Sequence, residues 1–178
     1  MAILETRRMT TLAFLSAVGI ALFVLESFIP IPVPFFKIGL ANVSSLVSLI
    51  LFGRLSMLLV VVTRVVAGSF LTGSLFTPSF ILGLSGGVVS AFAMALAASL
   101  GPRVFSVIGI SLIGSVVHVV TQLAVVMLLF VQNESLVILL PLLLTSACAG
   151  GLIVGWLSSR MIEIMKTEQG NLSGQTLR

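Results

Sequence analysis

The side chains best placed to do chemistry are a few polar residues set inside long apolar stretches. Glu26, Arg64, His118 and Gln122 all lie within such stretches. An ionisable residue at the centre of a bilayer costs at least about 3 kcal/mol, so it faces protein or water and commonly serves a function. Arg64 keeps its charge and so needs an anion. That anion is either Glu26 or an anionic ligand, and both fit if the ligand competes with Glu26.

Polar residues also recur at intervals of three or four, which places them on single helix faces. They are Asn42, Ser45 and Ser48, then Arg64, Gly68 and Thr72, then Ser111, Ser115, His118 and Gln122. The serines are typical of hydrogen bonds between helices. The rise of about 1.5 Å per residue places the faces in the middle and outer half of the membrane. The residues that we expect to bind a substrate there are Glu26, Lys37, Asn42, Arg64, Thr72, His118 and Gln122.

Motifs for catalysis are absent from the sequence. No Walker A or dinucleotide fingerprint is present, so the chain does not drive itself with ATP. One cysteine and one histidine are too few for a zinc or iron–sulfur site, and we expect neither a metal nor a cofactor. All five acidic residues are glutamates, which excludes aspartate-bound magnesium and diphosphate. The sequence therefore points away from an enzyme, and no nucleic-acid motif accompanies its basic charge.

The composition identifies the elements that must position these residues. The chain is 58% hydrophobic and 8% charged, whereas soluble domains are about 25% charged. Six apolar segments are separated by turn residues, at about 9–29, 40–52, 55–72, 79–100, 104–131 and 136–160. The second is shorter than the roughly 20 residues of a full span, so it is either a half-span or part of a helix that continues under Arg54. We predict an all-α polytopic membrane bundle of about six helices, with five or seven as alternatives.

The cationic residues give this bundle an orientation. With six spans and the N-terminus inside, Lys37 lies outside, Arg64 lies within a span, and seven residues lie inside: Arg7, Arg8, Arg54, Arg103, Arg160, Lys166 and Arg178. Loops rich in lysine and arginine stay in the cytoplasm. We therefore predict a multi-pass transmembrane domain over residues 1–166, a flexible cytoplasmic tail over residues 167–178, and both termini in the cytoplasm.

Phenylalanines crowd the outer ends of the first four segments. They are Phe28, Phe35, Phe36, Phe70, Phe76 and Phe80. Tryptophan and tyrosine are the usual aromatics at the interface, so this group is either an aromatic band or a hydrophobic lid over an outward-opening pocket. The lid would be the proline-rich segment 30–39, and the residues assigned to it are Pro34, Phe35, Phe36 and Phe76.

Three motifs resemble landmarks of one bacterial membrane family. Pro34–Asn42, with the sequence PFFKIGLAN, resembles the family's P-x-x-K-x-G-L-A-N signature. Leu75–Phe80 and the H-x-x-x-Q of His118 and Gln122 resemble two more landmarks, and the resemblance covers about residues 10–160. The family is called both the Gx transporter family and heptaprenyl diphosphate synthase component I. The second name implies a partner in isoprenoid diphosphate synthesis, which without aspartate is at most an accessory subunit.

The chain is also similar to the S component of energy-coupling-factor transporters. The resemblance rests on six helices, both ends inside, and a stripe of Ala13, Ala17 and Ala21 on the first helix. It implies that the stripe docks on a coupling transmembrane subunit, that separate ATPases supply energy, and that a small ligand is taken up from outside. We expect that ligand to be anionic, as a partner for Arg64, or isoprenoid-like. The chain lacks the tyrosine and outer tryptophan that would stack on a flat vitamin. A further resemblance, to proteins of flavin- or quinone-linked electron transfer, implies an accessory role there as an alternative.

The orientation can be tested with reporter fusions in a bacterium. A green fluorescent protein fused after Arg178 should fluoresce, and alkaline phosphatase fused there should be inactive, because its disulfides form only outside the cytoplasm. Phosphatase fused after Lys37 should be active. Active phosphatase at the C-terminus would contradict the predicted orientation.

Overall fold

The computed structural model describes residues 2–28 and 39–175 as helices joined by short turns. The helices are α1 (Ala2–Ser27), α2 (Asn42–Phe52), α3 (Arg54–Leu71), α4 (Pro78–Ser99), α5 (Val107–Val126) and α6 (Leu140–Gln175). A π-helical turn, Met127–Val131, extends α5, and a 3-10 helix, Glu134–Leu139, precedes α6. The prediction of an all-α bundle with about six helices is confirmed for this part of the chain.

Five of the helices are long and apolar enough to cross a membrane, and α2 is not. Its 11 residues extend roughly 16 Å at the α-helical rise, about half of a hydrocarbon core. The helix does not continue under Arg54, because Gly53 breaks it with a φ of 90°, which a residue with a Cβ rarely adopts. The second apolar segment is therefore a half-length helix.

This short helix lies at the centre of the bundle. Its residues from Asn42 to Leu49 are all buried, and it contacts α1, α3, α4 and α6. The longer helices pack around it, with α3 against α1 and α4, and α5 against α4 and α6. Four elements thus enclose α2.

Contacts at its two ends fix the depth of α2. At its start, Asn42 accepts a hydrogen bond from Arg64, which lies roughly 15 Å along α3 from Arg54. At its end, the carbonyl of Phe52 accepts from Arg8, which also donates to Ser56 at 3.2 Å. Arg8 and Arg54 therefore lie at the same end of the bundle, as the predicted orientation requires. The N-terminus of α2 lies at the level of the middle of α3.

The separators expected between apolar segments coincide with backbone breaks. Gly73, Gly101 and Gln132 all have positive φ, as Gly53 does, and each lies directly after or close to the end of a helix. Such left-handed residues commonly terminate helices. The turn residues of the sequence thus marked these helix ends correctly.

The C-terminal helix is longer than its apolar segment. The sequence predicts a loose tail from residue 167, but α6 continues to Gln175. The helix continues although the stretch contains Gly170 and Gly174, which are poor helix formers. The extent of the membrane domain, 1–166, and the cytoplasmic location of the tail stay predictions.

Glycines let α5 and α6 approach closely. A Cβ atom on Gly155 would lie 2.8 Å from the Cα of Ile108, and one on Gly151 would lie 3.2 Å from the Cα of Leu112. At the same crossing the hydroxyl of Ser111 donates to the carbonyl of Gly151 at 2.8 Å. Gly151 and Gly155 of α6 are therefore used in packing within the chain.

The close crossing predicts a large effect of a single methyl group. Gly155→Ala should destabilise the protein by about 1–3 kcal/mol, because the added Cβ meets backbone that cannot yield without moving a helix. Gly83→Ala is the matched control, since its Cβ would meet only Val65 at 3.8 Å. It should be neutral or stabilising by up to about 1 kcal/mol. Thermal melting in detergent compares the two, and equal melting temperatures would contradict the assigned crossing.

Candidate functional site

A small cavity lies where five helices meet around the N-terminus of α2. Its volume is about 30 Å³, enough for one or two water molecules. Its lining residues are Phe23, Glu26, Gly39, Ala41, Asn42, Arg64, Val65, Ser79, Gly83, His118 and Gln122. Five of the seven residues predicted to bind a substrate are therefore brought together: Glu26, Asn42, Arg64, His118 and Gln122.

Arg64 is the buried cation of this cavity, with 3% of its surface exposed. Its Nη2 donates to the Oδ1 of Asn42 at 2.5 Å. Its Nε has no hydrogen-bond partner among the residues that the structure describes. A guanidinium carries five N–H donors, and a buried charge is costly unless it is paired and hydrogen-bonded. Arg64 therefore has donor capacity directed into a small buried space.

Glu26 supplies negative charge at the same place and is 4% exposed. Its carboxylate accepts a short hydrogen bond from the backbone N–H of Leu40, in the turn that leads into α2. No side chain caps α2 at Ala41, so the Glu26 carboxylate provides the anion that a helix N-terminus favours. Its negative charge also acts on the Arg64 guanidinium. Glu26 thus links the C-terminal end of α1 to the start of α2.

His118 and Gln122 reach the cavity from α5 across a glycine of α4. A Cβ atom on Gly86 would lie 3.0 Å from the Cγ of Gln122 and 3.1 Å from the Cε1 of His118. The glycine therefore provides the space that these two side chains occupy. The polar residues of α5 therefore have two different roles. His118 and Gln122 line the cavity, whereas Ser111, nearer the N-terminus of α5, bonds to α6.

Two predicted residues lie away from the cavity. The hydroxyl of Thr72 donates to the carbonyl of Gly68 at 2.9 Å and lies 2.8 Å from that of Ser74, so it satisfies the end of α3. Phe76 is 81% exposed, and its ring meets that of Phe80 edge-on at 5.9 Å. Neither Thr72 nor Phe76 lines the cavity. The other predicted lid residues, with Lys37, lie outside the described residues: Pro34, Phe35 and Phe36.

The apolar wall of the cavity, formed by Phe23, Ala41 and Val65, was not predicted from the sequence. Phe23 is buried and packs with Ala41 and Val65. A Cβ atom on Gly68 would overlap the Phe23 ring, so Gly68, which we placed on a polar face, makes room for an aromatic side chain. The available signal was the spacing of Phe23 and Glu26, which are three residues apart and therefore neighbours on one helix.

The alanine stripe of α1 faces away from the bundle. Ala13, Ala17 and Ala21 are all exposed, as are Phe14 at 57% and Leu25 at 60%. This face of α1 is therefore not used in packing within the described part of the chain. It is open to lipid or to another membrane protein, and its docking role stays a prediction.

Comparison with known families gives one match. A family described as heptaprenyl diphosphate synthase component I matches residues 15–161, which include every residue that lines the cavity. No curated protein and no solved structure matches the chain significantly.

The Asn42 contact can be tested by its effect on stability. Asn42→Ala should destabilise the protein by about 1–3 kcal/mol, because the buried Arg64 loses its neutral acceptor. Asn133→Ala is the control, since Asn133 is exposed and caps a surface turn by accepting from the N–H of Ser135. It should cost about 1 kcal/mol or less. If both variants melt at the same temperature in detergent, the Arg64–Asn42 bond is not a stabilising contact.

Proposed function

The chain belongs to the heptaprenyl diphosphate synthase component I family, and from that premise we propose that it is a membrane subunit that binds a small anionic molecule for uptake. The observation that carries the proposal is Arg64, a buried cation at the cavity whose Nε has no hydrogen-bond partner among the described residues. An ionisable residue within a membrane span is by default a candidate for function.

The position of α2 supports an anion as the ligand. In membrane transporters, half-helices commonly begin near the bilayer midplane, and their N-termini point at anionic groups of the substrate. Here α2 begins at the level of Arg64, and Asn42 at its start is bonded to Arg64. A positive helix end and a guanidinium therefore act on the same space.

The other side chains around the cavity suggest how a ligand would be held. His118 and Gln122 offer hydrogen bonds from α5, while Phe23 and Val65 offer an apolar wall. Ligand pockets usually measure about 300–1,000 Å³, far more than the present 30 Å³. Binding therefore requires side chains of the cavity to move apart.

Uptake would need partners. The sequence contains no ATP-binding motif, so energy would come from separate ATPases through a coupling transmembrane subunit. The exposed face of Ala13, Ala17 and Ala21 would dock that subunit, because small residues let helix backbones approach closely in lipid. This arrangement is S-component-like, in the bacterial inner membrane with both termini in the cytoplasm.

The family description favours a second candidate. A component I of heptaprenyl diphosphate synthase would be an accessory membrane subunit beside a catalytic partner. The absence of aspartate from this chain assigns the metal-bound diphosphate chemistry to that partner. This candidate predicts a stable complex with the partner and no small molecule in the cavity.

Native mass spectrometry of the purified protein separates the two candidates. The uptake proposal expects a bound small molecule in the wild type and at least about tenfold lower occupancy in Arg64→Met. Arg64→Met alone leaves the buried Glu26 carboxylate without its cation, which should destabilise the protein by about 3–5 kcal/mol, so Glu26→Gln/Arg64→Met, which removes both charges, is measured beside it. Melting temperature checks the fold.

Arg160→Met is the matched control, since Arg160 is exposed on α6 and pairs with Glu163 at 3.2 Å. It should keep the ligand. Unchanged occupancy in folded Arg64→Met would contradict the uptake proposal. A co-purified synthase partner with an empty cavity would favour the accessory subunit.

A further inference from the structure

We infer that Glu26 is a resident anion that fills the ligand site of the empty protein, and that the ligand carries a compact, singly charged acidic group of the carboxylate class that exchanges with it. This inference rests on the proposed function, because it concerns the same cavity.

Two kinds of hydrogen-bond donor for an anion meet at this site. Backbone N–H groups at a helix N-terminus bind anions, and a guanidinium prefers carboxylates and phosphates as partners. Both kinds of donor meet here, in the turn at Leu40 and in Arg64. The carboxylate of Glu26 already accepts from Leu40 and attracts Arg64. The protein therefore occupies its own anion site.

The guanidinium of Arg64 has one donor, Nε, that Glu26 does not satisfy. Arg64 is 3% exposed, and its Nε has no hydrogen-bond partner among the described residues. Glu26 therefore fills the site incompletely. A free carboxylate with its own position and orientation can serve the guanidinium better than a side chain tethered to α1, which gives the ligand an advantage in the exchange.

The charges of Arg64 and Glu26 limit the charge that a ligand can carry. Among the described lining residues, Arg64 is the one permanent cation and Glu26 the one acid, so the charges of these two residues cancel. A ligand with one negative charge preserves this neutrality when it replaces Glu26. A phosphate or diphosphate would leave excess negative charge beside Phe23 and Val65, which an apolar surrounding disfavours.

Exchange with a ligand requires the Glu26 carboxylate to leave the cavity. It lies one residue before the last residue of α1, next to Ser27 and Phe28, which are both exposed. A small rotation at this helix end would carry the carboxylate from the cavity toward water. The same movement breaks the bond to Leu40, which joins α1 to the turn before α2. The small cavity of about 30 Å³ is then the state in which Glu26 is still in place.

Chemical rescue tests the exchange. Glu26→Ala removes the resident carboxylate and leaves a vacancy beside Arg64. Sodium acetate should raise the melting temperature of this variant in detergent by about 3 °C or more, with saturation, relative to sodium chloride at equal ionic strength. The wild type and the control Glu163→Ala should show a much smaller rise, because acetate must first displace Glu26 from the site.

The double variant Glu26→Ala/Arg64→Met should lose the response to acetate, which would support Arg64 as the partner of the anion. If Glu26→Ala responds no more than the wild type, the inference is overturned. If phosphate raises the melting temperature and acetate does not, the carboxylate class is overturned.

A second variant keeps the test decisive if Glu26→Ala does not fold. Glu26→Gln keeps an acceptor for Leu40 but removes the competing charge, so acetate should bind it at least about tenfold more tightly than the wild type. Equal binding would overturn the inference. These results are separable from the proposed function: a ligand present in the wild type and lost in Arg64→Met would support that function even if acetate had no effect.

Discussion

Lipid offers no partner to a buried charge or to an unbonded backbone group, and this constraint organises the centre of the molecule. Arg64, Glu26 and the first turn of α2 would each be costly alone in the membrane. Together they satisfy one another in part, through the bond from Arg64 to Asn42 and the bond from Leu40 to Glu26, while the Nε of Arg64 has no hydrogen-bond partner among the described residues. The half-length helix is tolerated because its N-terminus ends against these groups and is enclosed by longer helices.

Close packing brings those groups within reach. Gly68 admits the Phe23 ring, and Gly86 admits His118 and Gln122. A methyl group at either glycine would press on the cavity wall. Small residues therefore have two roles in this bundle: some, such as Gly155, bring helix backbones together, and others leave room for the polar and aromatic side chains of the site. The alanines of α1 do neither, since they face outward.

The family description and the chemistry of the chain can be reconciled in only a few ways. The chain contains no aspartate and therefore no aspartate-rich site for magnesium and diphosphate, and the proposed accessory role leaves that chemistry to a partner. The cavity around Arg64 suits recognition of an anion better than bond making. The two proposed roles, uptake subunit and accessory subunit, would use the same helical bundle and would differ in what occupies the cavity and what docks on α1.

The sequence by itself indicated a lipid environment, the number of helices and the positions at which most of them end. Few charges and long apolar segments require a membrane, and Gly53, Gly73, Gly101 and Gln132 break the helices where turn residues predict breaks. Helical spacing also selected Arg64, Asn42, His118 and Gln122, because it fixes which side chains share a face. Only the tertiary structure decided that Thr72 bonds its own helix end, that Phe23 walls the cavity, and that Glu26 meets Leu40. The spacing of residues along one helix does not determine the angle and depth at which neighbouring helices cross it. Those angles and depths set the distances between side chains on different helices.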